Sequence, residues 1–319
     1  MKLIKILLAT ICTIVVNLAF CCGNEYELFT KADGSTLEMD KYFSELHYRF
    51  RNGFDLAELK QKKHDLEVKM QKNNSFKLLS DYALVLLKLG ETDKSVKILE
   101  DLYVDFPKEY NVLANLGTAY ELSGNNQQAL KFINKAIQVN PASHRGSEWI
   151  HVKILETKIA MKNNKDYLKH NTVLGLNLPS DIISYYKEMS AADHEKYDSI
   201  RVQLHYQLEE RIAFVGPADP VVADLLTDLA RVVVLTGTLE QAILIYDQAL
   251  EYSPTNFSQV LNERTKLQQA VFYAGIKVYF YIGFFITLFI LVIIFIYRYF
   301  AKRKKSVVSP INFSTEALT

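Results

Sequence analysis

Cysteine is almost missing from this chain of 319 residues: Cys12, Cys21 and Cys22 are the only three, all within the first 22 positions. The rest of the protein has no thiol, which excludes a disulfide framework and any zinc site built on thiolates. An excess of charge of one sign is also absent, since 37 Lys and Arg balance 36 Asp and Glu to a formal +1. Without a basic stripe there is no electrostatic footprint for nucleic acid, whose binding rests on neutralised phosphates. No phosphate-cradling glycine loop and no G-x-S-x-G elbow occur. The seven histidines include no two-His helical metal pair, and His144 and His151 lack an evident third ligand. Glu209 and Glu210 are adjacent, so they leave a helix on different faces and do not act as an acid pair. These absences predict a protein that is not an enzyme and needs no cofactor or metal.

Two apolar runs are present. Val278–Tyr297 carries no formal charge, and at 1.5 Å per residue it spans about 30 Å, one hydrocarbon core. Tyr279 and Tyr281 at its start, and Tyr297, Tyr299 and Phe300 at its end, suit the two headgroup layers. Arg298, Lys302, Arg303, Lys304 and Lys305 follow, which predicts a cytoplasmic C-terminus. The other run, Ile6–Phe20 behind Lys2 and Lys5, has the pattern of a secretory signal or signal anchor. "LAFCC" resembles a bacterial lipobox, except that Phe20 stands where a small residue precedes the modified cysteine. Lipidation at Cys21 or Cys22, ordinary cleavage and retention as an anchor all remain open. A signal starting inside and a helix ending inside place the intervening roughly 245 residues outside the cell membrane, with the lipid bilayer itself as one partner.

No linker rich in Pro, Gly or Ser interrupts that middle, and helix formers dominate it. An all-α fold is expected. Within it a period emerges: "YNVLANLGTAYELSGNNQQALKFINKAIQVNP" carries Leu113, Leu116, Gly117, Tyr120, Gly124, Ala129, Ile133, Ala136 and Pro141. A step of 34 residues back reaches Gly90 and Pro107 and sets Leu79, Tyr82, Ala83, Leu86 and Leu99 in matching slots. A further copy, "ADLLTDLARVVVLTGTLEQAILIYDQALEYSP", carries Leu226, Leu229, Ala230, Val233, Gly237, Ala242, Tyr246, Ala249 and Pro254. This pattern resembles the tetratricopeptide repeat, which implies a helical solenoid, a right-handed superhelix of stacked antiparallel helix pairs. Small residues such as Gly117, Ala129, Ala230 and Ala242 are expected to let paired helices approach. Gly90, Gly124 and Gly237 are expected to end first helices in a left-handed cap, and Pro107, Pro141 and Pro254 to stop second ones.

The expected organisation is a signal segment over 1–22, an N-terminal helical or capping region over 23–75 and two regular repeats over 76–143. Degenerate helical repeats over 144–222 and a further repeat over 223–256 follow, then a capping helix over 257–275, a transmembrane helix over 276–298 and a short basic tail over 299–319. In the N-terminal region "LAELKQKKHDLEVKMQ" reads as a helix and "FTKADGST" as a loop. The stretch 144–222 holds two repeat periods plus 11 residues; "SEWIHVKILETKIAM" reads as a helix, and so does "DSIRVQLHYQLEERIAFVG" from Asp198.

The resemblance also implies a concave groove facing a protein or peptide partner. Its geometry points to Asn111, Asn115, Thr118 and Glu121 in one repeat and Asp224, Asp228 and Arg231 in the last. Asn115 and Arg145 fall in two slots of the carboxylate-clamp members, whereas Ser80 and Leu84 replace that clamp's first pair. The expected function is a non-enzymatic scaffold or adaptor of the bacterial envelope, on the outer, periplasmic face of the inner membrane. Two alternatives are a sensor that passes a signal through its membrane helix and a tail-anchored adaptor whose repeats face the cytosol.

Overall fold

A computed structural model describes residues 26–40, 54–73 and 75–306. The signal segment, its three cysteines and the tail beyond 306 lie outside the described residues. The described chain starts not with a helix but with an antiparallel hairpin, β1 (Tyr26–Thr30) and β2 (Thr36–Asp40), with Thr30 opposite Thr36. The expected loop "FTKADGST" is the tip of this hairpin: Gly34 takes φ 82°, its N–H donates to Lys31 O at 2.9 Å, and Asp33 Oδ1 accepts from Ser35 N at 2.8 Å. An Asp-Gly pair between two short runs was the available signal, because Gly adopts positive φ without a Cβ clash. Within the region expected to be helical over 23–75, the described residues form a hairpin and one helix.

That helix, α1 (Leu56–Lys72), is capped by Asp55, whose Oδ1 accepts from Ala57 and Glu58 N–H, and it buries Leu59 and Leu66. Three helix pairs then carry the repeat pattern: α2 (Phe76–Lys88) with α3 (Thr92–Asp105), α4 (Tyr110–Leu122) with α5 (Asn126–Val139), and, further on, α10 (Pro220–Thr236) with α11 (Leu239–Glu251). Ala83, Ala129, Ala136, Ala230, Ala242 and Ala249 are fully buried between them. At Gly117 a Cβ would lie 2.6 Å from Ile133 Cδ1, so α4 and α5 approach to a distance only glycine permits.

Gly90 and Gly124 close α2 and α4 at φ 81° and 83°, in the left-handed region. Gly237 does not: it ends α10 at φ −135° and ψ −135°, and a Cβ there would come within 2.9 Å of Gln241 Oε1 and 3.1 Å of Val233 Cγ1. It is needed for close approach to the Thr238–Gln241 capping box of α11 rather than for handedness.

Between the second and last pairs run a 3₁₀ turn (Ser143–Gly146), α6 (Glu148–Asn163), the short α7 (Tyr167–His170) and α8 (Ile182–Glu188), and α9 (Ala191–Ile212). Ser190 caps α9, which begins seven residues before the Asp198 expected from the sequence. The last helix is α12 (Phe257–Ser306), with Gly275 inside it. By contacts the chain forms two units, up to Gln268 and from Gln269. In the first, α12 contributes buried Val260 and Leu267. In the second, α12 is apolar and long enough to cross a membrane, and most of its described residues are exposed.

Candidate functional site

Glu121, expected to face an open groove from α4, is 6 % exposed and ringed by cations. Its carboxylate accepts from Arg211 Nη1 at 2.7 Å and Nη2 at 3.1 Å, and from Lys158 Nζ at 2.7 Å; it also lies 2.7 Å from His151 Nε2. Burial pushes its pKa up, but the Arg211 charge, with His151 and Lys158, outweighs burial and holds the carboxyl well below the usual range. Burial works against protonation of His151, yet the hydrogen bonds to Glu121 and Glu148 raise its pKa overall. Glu148 accepts from Tyr110 Oη at 2.6 Å and stands 3.1 Å from His144 Nδ1. Both histidines weighed for a metal are thus taken up by carboxylates.

Arg211 comes from α9, so this network seats α9 on the faces of α4 and α6. Gln207 Nε2 donates to Ser147 Oγ at 3.0 Å, Trp149 Nε1 donates to Gln203 Oε1 at 2.6 Å, and Phe214 meets Phe54 edge-on at 4.8 Å. Gln207, Glu210, Arg211 and Phe214 face Asn111, Asn115, Thr118 and Glu121 across a remnant of about 170 Å³. The expected groove of the second repeat is therefore filled by the chain's own helix. Asn115 Nδ2 donates to Ser80 Oγ at 3.2 Å, Thr118 Oγ1 donates to Ala114 O at 3.1 Å, and Arg145 sits outside, at positive φ, over the Tyr206 ring. Asn111 stays exposed at the rim. Sequence reasoning missed Arg211, although it stands three residues beyond the buried Leu208, a charge beside an apolar stripe.

The last repeat differs. Asp224 and Arg231 of α10 line a cavity of about 600 Å³, together with residues of α6, the segment 167–177 and the start of α12. Asp224 Oδ2 accepts from Val173 N–H at 2.7 Å, and Asn256 Nδ2 donates to Leu168 O at 3.2 Å, which ties that segment to α10 and to the residue before α12. Asp228, expected at the surface, is 1 % exposed. Arg231 makes two hydrogen bonds to Glu263, at 2.9 and 2.8 Å, and a longer one to Asp228 Oδ1 at 3.4 Å. Tyr246 Oη donates to the same Glu263 at 2.9 Å. Burial raises Asp224 to about 6. Burial first, then the neighbouring Asp224, raises Asp228 to about 8.

Residues 110–143 match the family profile of the tetratricopeptide repeat. This span is α4 with α5, so the protein is an array of helix pairs that includes a tetratricopeptide repeat. A search of curated proteins gives no match. Among solved structures, the TPR2AB domain of yeast Sti1 in its Hsp90 complex is 13% identical, with 67% of this chain and 78% of that one covered at a TM-score of 0.30. A tetratricopeptide repeat protein from Parabacteroides merdae is 17% identical, with 72% and 87% covered at a TM-score of 0.30.

Proposed function

We propose that this protein is a membrane-anchored docking scaffold that receives a segment of a partner protein in the cavity between α10 and residues 167–177. The observation that carries the reading is the contrast between the two faces. The groove of the second repeat is filled by α9, while the cavity beside Asp224 remains at about 600 Å³, within the range that holds a ligand or a peptide side chain. Tetratricopeptide repeats are protein-docking units, and tethering one to a bilayer raises the local concentration of its client without chemistry on it. The apolar stretch of α12 supplies the tether. The basic residues after it and the N-terminal apolar run favour a helical array on the outer, periplasmic face of a bacterial inner membrane.

The test is photo-crosslinking in intact cells from Thr172 and Gln259, at the cavity, with Asn115, in the filled groove, as comparator. Capture of one protein from the cavity positions and not from Asn115, with the domain resistant to protease until the outer barrier is opened, is the expected result. Capture at Asn115 alone refutes the assigned site. Digestion by a cytosolic protease inverts the topology and makes the protein a tail-anchored adaptor.

A further inference from the structure

Resting on that docking reading, we propose that residues 171–177 are a strap on the cavity, held against α10 while Asp224 is protonated and loosened when Asp224 ionises, so that the cavity admits its partner more readily at neutral pH than in acid. The strap joins α7 to α8 and contains neither helix nor strand. Among the described residues no backbone–backbone hydrogen bond joins 172–177 to another element. Side chains hold it instead: Val173 and Leu174 are buried, and the Val173 N–H is donated to Asp224 Oδ2 at 2.7 Å. The polar tie between the strap and α10 is therefore a group that can gain or lose a proton.

A carboxylate taken from water needs donors or a counter-charge in its place. Arg231, two turns along α10 from Asp224, is committed to Glu263 at 2.8 Å and to Asp228 at 3.4 Å. The other titratable groups at the cavity wall are Lys153 and Glu156 of α6, which pair with each other, and Tyr167, Lys169 and His170 of α7, of which Lys169 pairs with Asp166. Tyr246 of α11 and Glu263 of α12 act on Arg231. Tyr185 and Tyr186 of α8 and Tyr197 of α9 belong to the cluster around Val232 and Leu235, further along α10. Asp228 has a value near 8 and stays protonated while Asp224 titrates.

Two effects compete at Asp224. The Val173 N–H favours the ionised carboxyl, but burial outweighs it and raises Asp224 from 3.8 to about 6. Lifting the strap lets water reach the carboxyl, and its value falls back towards 3.8. The closed strap thus binds the proton more tightly than the open one. That advantage is complete below about pH 4 and is lost as pH rises through about 6. Between pH 5 and 7 the ratio of closed to open strap falls about tenfold. Burial of Val173 and Leu174 favours the closed form at both pH values, so ionisation lowers the cost of opening, and a partner entering the cavity selects the open form.

The experiment is hydrogen exchange of the full chain in detergent micelles, read by mass spectrometry over 171–177 and corrected at each pH for the intrinsic exchange rate. Protection of the strap should fall about tenfold from pH 5 to pH 7, with α2 and α3 as the reference for overall folding. Asp224→Asn keeps an acceptor for the Val173 N–H and removes the charge, so its strap should be as protected at pH 7 as at pH 5. Asn256→Ala removes the tie to Leu168 O and leaves Asp224 in place; it should lower protection at both pH values and keep the tenfold ratio. Strap protection that is equal at the two pH values or higher at pH 7, or a pH response that survives in Asp224→Asn, overturns the proposal. Crosslinking from Gln259 at pH 7 separates the strap from docking. Capture should fall severalfold in Asp224→Asn; undiminished capture refutes control of the cavity by the strap, whereas no capture even by the wild type refutes docking and with it any partner for the strap to admit.

Discussion

Replacing Arg211 by alanine removes two charge-assisted hydrogen bonds, at 2.7 and 3.1 Å, from a carboxylate only 6 % exposed. Breaking a buried pair by deleting one partner costs about 3–5 kcal/mol because the other charge stays behind. Glu121 keeps Lys158 and His151, so the lower end, about 3 kcal/mol, is expected. For a unit of this size that lowers Tm by about 6–12 °C. The same helix supplies the control: Arg201 pairs with Asp198 at 2.7 Å, but with side chains 38% and 54% exposed. An exposed pair contributes about 0.5 kcal/mol or less, so Arg201→Ala should shift Tm by no more than about 2 °C. Thermal melts of the detergent-solubilised chain, followed by circular dichroism, compare the two. Equal shifts would refute the view that the Glu121 network holds α9 in place. The pH dependence has a definite sign. His151 is raised in the folded state, so its contribution is complete below its unfolded value near 6.5 and is lost as pH rises through the folded value. Glu121 is depressed, so its contribution is present above the unfolded carboxylate value near 4.5 and is lost only in acid. The difference in Tm between wild type and Arg211→Ala should accordingly be smaller in mild acid, where protonated His151 still supports Glu121, and larger once pH rises above the folded His151 value.

Gly117→Ala drives a methyl into Ile133, at 2.6 Å, and should cost about 1–3 kcal/mol in a denaturant melt. Gly124→Ala meets no atom within 4 Å but must hold φ +83°, so about 1 kcal/mol is expected, and Gly124→Asn should recover part of it. Glu240→Ala removes the carboxylate that accepts Thr30 N–H at 2.9 and 2.7 Å; tryptic cleavage at Lys31 should quicken about tenfold, because a charged hydrogen bond contributes about 1.5–3 kcal/mol. Asp228 has a raised folded value near 8, so its ionisation opposes folding increasingly as pH climbs from about 4 to 8. Asp228→Asn should therefore be more stable than wild type at pH 8, by a few kcal/mol at most, and nearly equal to it at pH 4.

The repeats were legible because their code is local. Ala83, Ala129 and Ala242 recur at fixed offsets and are fully buried where those offsets place them, and Gly90 and Gly124 sit at positive φ where a first helix ends. Gly237 shares the slot without the conformation, since the capping box of α11 demands close approach there and not a left-handed turn. The hairpin escaped notice although Asp33-Gly34 announces a turn, because two five-residue strands carry little periodicity beside long helices. The candidate groove was misjudged for a different reason. The repeat pattern says which face of α4 is concave, but nothing within one period says that α9 returns to cover it. Glu121, Asp228 and Arg231 looked like surface charges; Glu121 and Arg231 find partners on other helices, and Asp228 is buried beside Arg231 of its own helix.

An array of stacked helix pairs normally has only nearest-neighbour couplings, so it behaves as a one-dimensional chain that can lose its units from either end. The Arg211–Glu121 contact joins positions 90 residues apart. It ties the third helix pair's neighbourhood to the second across everything between, so fraying from one end cannot proceed past it without breaking the buried charge cluster. The stitched segment is expected to unfold as one block. That block also folds later than an unstitched array, because closing a loop of this length precedes any gain from the contact.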